Sequence, residues 1–241
     1  MKISLALAAL TLALAGSPAG GRAADDPQRV AAQAELQRAV DPAVVALLEA
    51  DPPVAARAAL ALGRSRLPAA RPVLRAHLVT PDATVRAMVA YALGLTADPE
   101  SLPQERDLAR NDPSSAVRYA ALDAIDRIVA ANPMLGTREV ADDVIAAASS
   151  DPDAGVRGHA AISTQAFRDR PDAAELASGL AAAYGRERDA TVRWHLMWAI
   201  FRGYAKDAPR IILIRGLHDR SDVVRVEALR AWGKRTSRKS P

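Results

Sequence analysis

Apolar and polar positions along the chain follow a helical period, and that pattern recurs in six registered copies. The segments Asp51-Pro-Pro-Val54, Asp82-Ala-Thr-Val85-Arg86, Ser114-Ser-Ala-Val117-Arg118, Asp153-Ala-Gly-Val156-Arg157, Asp189-Ala-Thr-Val192-Arg193 and Ser221-Asp-Val-Val224-Arg225 share one frame, with valines 31, 32, 39, 36 and 32 residues apart. Three residues before each valine stands Asp or Ser, whose side-chain oxygen accepts from the free amides of a helix's first turn, so each unit is expected to start a helix there. In five units Arg follows the valine, in the favourable acid-to-base order where the capping residue is Asp. Small or apolar residues recur about four, seven and eight positions on, as in Ala121, Ala124 and Ile125, or Leu196, Ala199 and Ile200. Leu62-Gly63, Leu93-Gly94 and Trp232-Gly233 close three units, where Gly is expected to take the left-handed C-terminal conformation. A second helical segment per unit is predicted over 68–79, 99–110, 137–149, 171–184 and 206–218, which makes each unit a helical hairpin. The loop 132–136 lies in the longest spacing and is expected to be irregular.

A chain of six such units is an all-α protein, an α-solenoid (superhelix) of about six hairpins preceded by a short helix near 27–40. Composition agrees: aromatic residues are 4% of the chain, and Ala, Leu and Val carry most of its 50% hydrophobic share. Cysteine is absent, which excludes disulfides, cysteine metal knuckles and cysteine nucleophiles.

The first residues follow a different pattern. Lys2 precedes an uncharged apolar run from Ile3 to Ala15 and then the small stretch Gly16-Ser17-Pro18-Ala19-Gly20-Gly21, the layout of a secretory signal peptide. The run is shorter than the roughly 20 residues of a spanning helix, so no integral membrane segment is expected after cleavage near Ala23. The expected organisation is therefore a signal peptide at 1–23, an N-terminal helix at 24–40, a repeat domain at 41–236 and a basic tail at 237–241, in a periplasmic or secreted protein. The formal charge is +4 over the whole chain. Seven cations and two anions fall within Arg220–Pro241, so the body is mildly acidic and the cations gather at the chain end.

The repeated frame resembles the HEAT-repeat family, in the form of the short bacterial HEAT-like repeats associated with bilin lyases. The resemblance rests on Asp-x-x-Val-Arg followed by Ala and Leu-Gly, and on a proline in the preceding helix (Pro72, Pro103, Pro209). The chain departs from it at Ala55, which stands at the Arg position, and at Asp126 and Gln165, which replace Gly. The resemblance implies that Asp82, Arg86, Arg118, Asp153, Arg157, Asp189, Arg193 and Arg225 form a structural ladder between neighbouring repeats, the competing use being anion binding. It also implies that the valine helices line the inner, concave surface.

On those helices, positions two and six after the valine are expected to point away from the core, given roughly 100° per residue. They are Ala56 and Leu60, Ala87 and Tyr91, Tyr119 and Asp123, Gly158 and Ile162, Trp194 and Trp198, and Val226 and Arg230. Tyr91, Tyr119, Trp194 and Trp198 thus fall along one groove, with Arg202 four residues beyond Trp198. Two readings are open: the rings bind a ligand, or they fill gaps between repeats. His77, His159, His195 and His218 lie in different units without a His-x-x-x-His or His-Glu pair, so no metal is expected. No phosphate loop, Gly-x-Ser-x-Gly or dinucleotide motif occurs, and no cofactor is expected. The expected function is an exported, non-enzymatic scaffold for a protein or peptide. The rivals are a lyase-like or other small-molecule enzyme on the same groove, and nucleic-acid binding as in HEAT-like DNA glycosylases, against which export and the acidic body count.

Overall fold

The computed structural model describes residues 26–237. The expected signal peptide at 1–23 and residues 238–241 of the tail lie outside the described residues. Thirteen α-helices make up the described fold, which contains no strand. They are α1 (Pro27–Gln37), α2 (Pro42–Ala46), α3 (Pro52–Ser65), α4 (Arg71–Ala76), α5 (Ala83–Thr96), α6 (Leu102–Asn111), α7 (Ser115–Ala131), α8 (Arg138–Ser150), α9 (Ala154–Ser163), α10 (Ala173–Arg186), α11 (Ala190–Ala199), α12 (Arg210–Leu217) and α13 (Asp222–Thr236). Short 3-10 turns extend α2, α4, α6 and α9, and a π-helical segment, Ile200–Tyr204, extends α11. The loop expected to be irregular is a 3-10 turn, Pro133–Leu135.

The valine helices α3, α5, α7, α9, α11 and α13 stack each on the next in one layer, and α2, α4, α6, α8, α10 and α12 pack against them as the other layer. Six hairpins therefore form an α-solenoid. Helix α1 sits on α3 in the valine-helix layer, ending at Gln37 rather than Val40 because Arg38 turns left-handed. The frame explains the core: Val117, Ala121, Ala124 and Ile125 are all fully buried, as are Leu93, Leu196 and Ala228. Burying a side chain of Leu or Ile size contributes about 1.5–3 kcal/mol each, and here the alanines between them let helices approach.

Two details differ from the sequence expectation. Asp82 accepts from the Thr84 and Val85 amides, Asp153 from Val156, and Asp189 from Thr191 and Val192, but Asp51, Ser114 and Ser221 stand at the cap without a side-chain capping bond. The frame glycines do not take the left-handed conformation: no described glycine has positive φ, and the left-handed caps are Arg66 (55°) and Ala97 (48°). The helices run one further polar step, where Ser65 and Thr96 bond back to the Leu62 and Leu93 carbonyls at 2.6 and 2.9 Å. Gly63 and Gly94 are needed instead for close approach. A Cβ on either would lie 2.7 Å from the Cα of Ala92 or Ala124 on the next valine helix.

Candidate functional site

The valine-helix layer is held in register by a line of ion pairs along one edge. Arg86 forks onto Asp112 at 2.9 and 3.1 Å, Arg118 onto Asp151 at 2.7 and 2.8 Å, Arg157 onto Glu187 at 2.7 and 3.1 Å, and Arg193 onto Asp219 at 2.9 and 3.0 Å. Each arginine also donates to carbonyls at its own helix entrance, as Arg118 does to Asp112 and Pro113. Fork geometry of this kind gives strong, directional bonds. Burial pushes the Asp219 carboxyl up, but hydrogen bonds from Arg193 and Tyr184 outweigh it and hold the group at about 2.

This corrects the ladder inferred from the resemblance. Asp82, Asp153 and Asp189 cap their own helices, and the carboxylates that cross between repeats are Asp112, Asp151, Glu187 and Asp219. Each stands two residues before the capping position and bonds the amide there, as Asp151 does to Asp153 at 2.8 Å. The signal was present in the sequence as an acid two residues upstream of Ser114, Asp153, Asp189 and Ser221. Arg225 pairs within its own helix, with Asp222.

A row of rings crosses the valine helices. Tyr91 on α5 and Tyr119 on α7 line one apolar pocket of about 290 Å³, with Ala87, Ala120 and Val156 on its walls and Asp153 at its edge. Arg127 lies 5.4 Å over the Tyr91 ring, and is held there by Asp123 at 2.6 Å. Tyr119 stacks on His159 at 3.9 Å with the planes 17° apart. Farther along, Trp194 lies against His195 at 4.7 Å, and the Arg202 guanidinium lies 5.8 Å over the Trp198 ring. A cation over an aromatic face contributes about 0.5–1 kcal/mol at exposed sites. Tyr91, Tyr119, Trp194 and Trp198 are half-buried and pack partly against the core, while Arg202 is exposed. The structure thus brings Tyr91 to Tyr119 and Trp198 to Arg202, and sets Trp194 on its neighbouring histidine.

Positions two and six do not all face outward. Ala56, Leu60 and Ala87 are buried, and Gly158 is covered by His195, whose Nδ1 would lie 2.5 Å from a Cβ there. A solenoid helix has neighbours on both sides of its layer, so a stripe that would be solvent on an isolated hairpin is covered where the residues are small.

Sequence reasoning noted His159, His195 and Asp126 but did not place them beside this row. His159 and His195 occupy the same frame position, three after the valine, which set them on adjacent helices. Burial lowers both, His159 to about 4 although Asp123 opposes the shift. Burial and the neighbouring Asp123 raise Asp126 to about 6 against the pull of Arg127 and Arg168. Both nitrogens of His195 and Nε2 of His159 lack hydrogen-bond partners. Among the described residues no group of three or more His, Asp or Glu side chains is arranged to hold a metal ion, and no helix is long and apolar enough to cross a membrane.

Residues 40–126 match the family HEAT repeats. Among solved structures, the chain is similar to a chain of the complex of CpcE and CpcF of phycocyanin lyase from Nostoc sp. PCC7120, at 21% identity and a TM-score of 0.56, with 70% of this chain and 98% of that chain covered. It is also similar to an engineered protein at 19% identity and a TM-score of 0.56, with 78% and 93% covered. No curated protein matches the chain. With the frame continuing from residue 126 through Trp232, these likenesses show the fold, an α-solenoid of HEAT-like helical hairpins.

Proposed function

We propose that this HEAT-repeat solenoid is an exported, non-enzymatic module that binds a protein or extended peptide along the ring row of its valine helices. The observation that carries the reading is the pairing of half-exposed rings with guanidinium groups at both ends of the row: Arg127 over Tyr91 beside the apolar pocket, and Arg202 over Trp198. Such a surface offers apolar area for side chains and donors for backbone carbonyls or carboxylates, the composition of binding hot spots. Solenoids present long surfaces of this kind because each repeat buries only its neighbours. The likeness to a phycocyanin lyase chain, at 21% identity, supports the architecture and not an activity. Export rests on the signal-peptide layout of residues 1–23 and puts the protein in the periplasm or outside the cell.

Panning a displayed peptide library against the chain tests the binding reading. Enriched peptides should lose at least tenfold in affinity for Trp198→Ala or Arg202→Ala. Peptides that bind both variants as well as the parent chain would refute it. N-terminal sequencing of the protein from its host tests export, with a first residue between Gly16 and Asp26 expected and an intact Met1 on cytosolic protein as the contrary result.

A further inference from the structure

The last described hairpin, α12 and α13, carries three devices by which one repeat receives the next, and among the described residues they are unoccupied. The position five residues after the valine is at most 1% exposed in five repeats, as Ala59, Ala90, Leu122, Ala161 and Met197, yet in the sixth it is Leu229, which is 63% exposed. The frame glycine repeats the contrast. Gly63 and Gly94 each receive an alanine of the following valine helix, seven residues after its valine, whereas a Cβ on Gly233 would meet nothing within 4 Å. The frame arginine repeats it again: Arg225 bonds its own entrance carbonyls, Asp219 and Arg220, and its free arm folds onto the exposed Asp222 instead of crossing to a neighbour. Ile211, Val223 and Val226 extend the exposed apolar face.

The opposite end is closed. Helix α1 covers α3, and Glu35 pairs with Arg57 at 2.9 Å and Arg64 at 3.0 Å. Ala61, the small residue that would meet a preceding glycine, is buried. A second copy therefore cannot offer its first hairpin head to tail without displacing α1.

We propose that the α12–α13 face is a docking surface for the leading hairpin of another helical-repeat protein. The geometry of the inner repeats specifies that hairpin. It presents a small residue against Gly233, an apolar row against Leu229 and Val226, and an Asp or Glu just ahead of its second helix to fork onto Arg225. Arg220 and Arg230 are exposed on this hairpin, whereas Lys234 and Arg235 reach back to carbonyls between Phe201 and Ala208, so an acidic leading loop is favoured at the entrance of α13. Repeats that face solvent ordinarily carry a polar outer side, whereas Val223, Val226 and Leu229 are exposed on α13.

The test uses a peptide with the sequence of residues 98–131, which contains Asp112 and Ala124 in the required positions, titrated with the full chain. Saturable binding is expected, weakened at least tenfold by Gly233→Leu in the chain or by Asp112→Ala in the peptide. Gly233→Leu should leave the thermal midpoint of the unliganded chain unlowered, because its side chain enters open space. The same sequence tethered after Ser237 serves where the free peptide is too weakly helical. Tethering should then slow amide exchange in α13 at least tenfold, and Gly233→Leu should abolish the slowing. Three results would overturn the proposal: binding indifferent to Gly233→Leu, no protection of α13 even when tethered, or a dimer of the chain alone that Gly233→Leu disrupts, which would make the occupant a second copy.

Discussion

Replacing Arg118 with alanine removes one complete rung of the inter-repeat ladder at its most enclosed point. The Arg118 and Asp151 side chains are 9% and 5% exposed. The guanidinium makes two bonds to the carboxylate at 2.7 and 2.8 Å and two to the carbonyls of Asp112 and Pro113 at 2.9 and 3.3 Å. Truncation leaves Asp151 buried with the Asp153 amide as its remaining hydrogen-bond donor and the Arg157 charge nearby. Removing one partner of a buried pair costs about 3–5 kcal/mol, most of it the stranded charge. For a chain of this size that lowers the thermal midpoint by about 2–4 °C per kcal/mol. Arg225→Ala is the internal comparison. Its pair with Asp222 is 42% and 86% exposed, so its loss is worth under about 1 kcal/mol. Urea titrations of both variants, followed by far-ultraviolet circular dichroism and by tryptophan fluorescence, report the two costs and whether α11 unfolds with the rest. Adding Asp151→Asn to Arg118→Ala should recover part of the loss, because the amide still accepts from Asp153 and carries no charge. Equal, small losses for Arg118→Ala and Arg225→Ala would refute the claim that the ladder fixes the stacking.

Four further outcomes follow from groups inside the fold. His159 has a folded pKa of about 4, below its unfolded value near 6.5, so its unfolded form binds more protons between those limits. Its presence therefore makes stability fall as pH drops from about 6.5 to 4, and His159→Phe should gain on the parent chain by on the order of 3 kcal/mol across that window in pH-dependent urea melts. Asp126 has the opposite slope, because its raised folded value of about 6 adds stability as pH falls through 6; a variant without His159 exposes that slope. Glu105 is fully buried, has no partner for either oxygen and is raised well above the ordinary carboxylate range by burial and by Asp98. Glu105→Met should stabilise the chain by about 1–3 kcal/mol at pH 7, and the gain should shrink as pH falls towards about 4.5 and be smallest below it, where the unfolded carboxyl also keeps its proton. Gly94→Leu drives a side chain into the Ala124 backbone and should cost about 1–3 kcal/mol by thermal melting; an unchanged midpoint would show that α5 and α7 can separate freely.

The hairpin architecture was legible because its determinants are local. Valine, alanine and capping positions repeat within a single helix, and six copies fix one register. The ladder was half legible: the arginines were found by their frame, but their partners sit in loops 26 to 33 residues away, and the nearer Asp residues competed for the role. The glycines were misread for a related reason. Leu-Gly resembles a helix end, and only the distance to Ala92 and Ala124 on the neighbouring repeat reveals that the helix continues and the glycine makes room. In the ring row, Tyr91, Tyr119, Trp194 and Trp198 follow from 3.6-residue periodicity, whereas Arg127 over Tyr91 and the stacking of His159 on Tyr119 depend on offsets between repeats that a single helix does not encode.

The central functional claim is that Trp198 serves a ligand more than it serves the core, and one paired measurement on Trp198→Ala tests it: its thermal midpoint, and its affinity for a peptide selected on the parent chain. Truncating a binding anchor costs about 2 kcal/mol or more of affinity, whereas truncating a packed tryptophan costs about 3–5 kcal/mol of stability. The account predicts a midpoint close to that of the parent chain and an affinity lowered roughly 30-fold or more. A midpoint lowered by about 10 °C with affinity intact would contradict it and return Trp198 to the core.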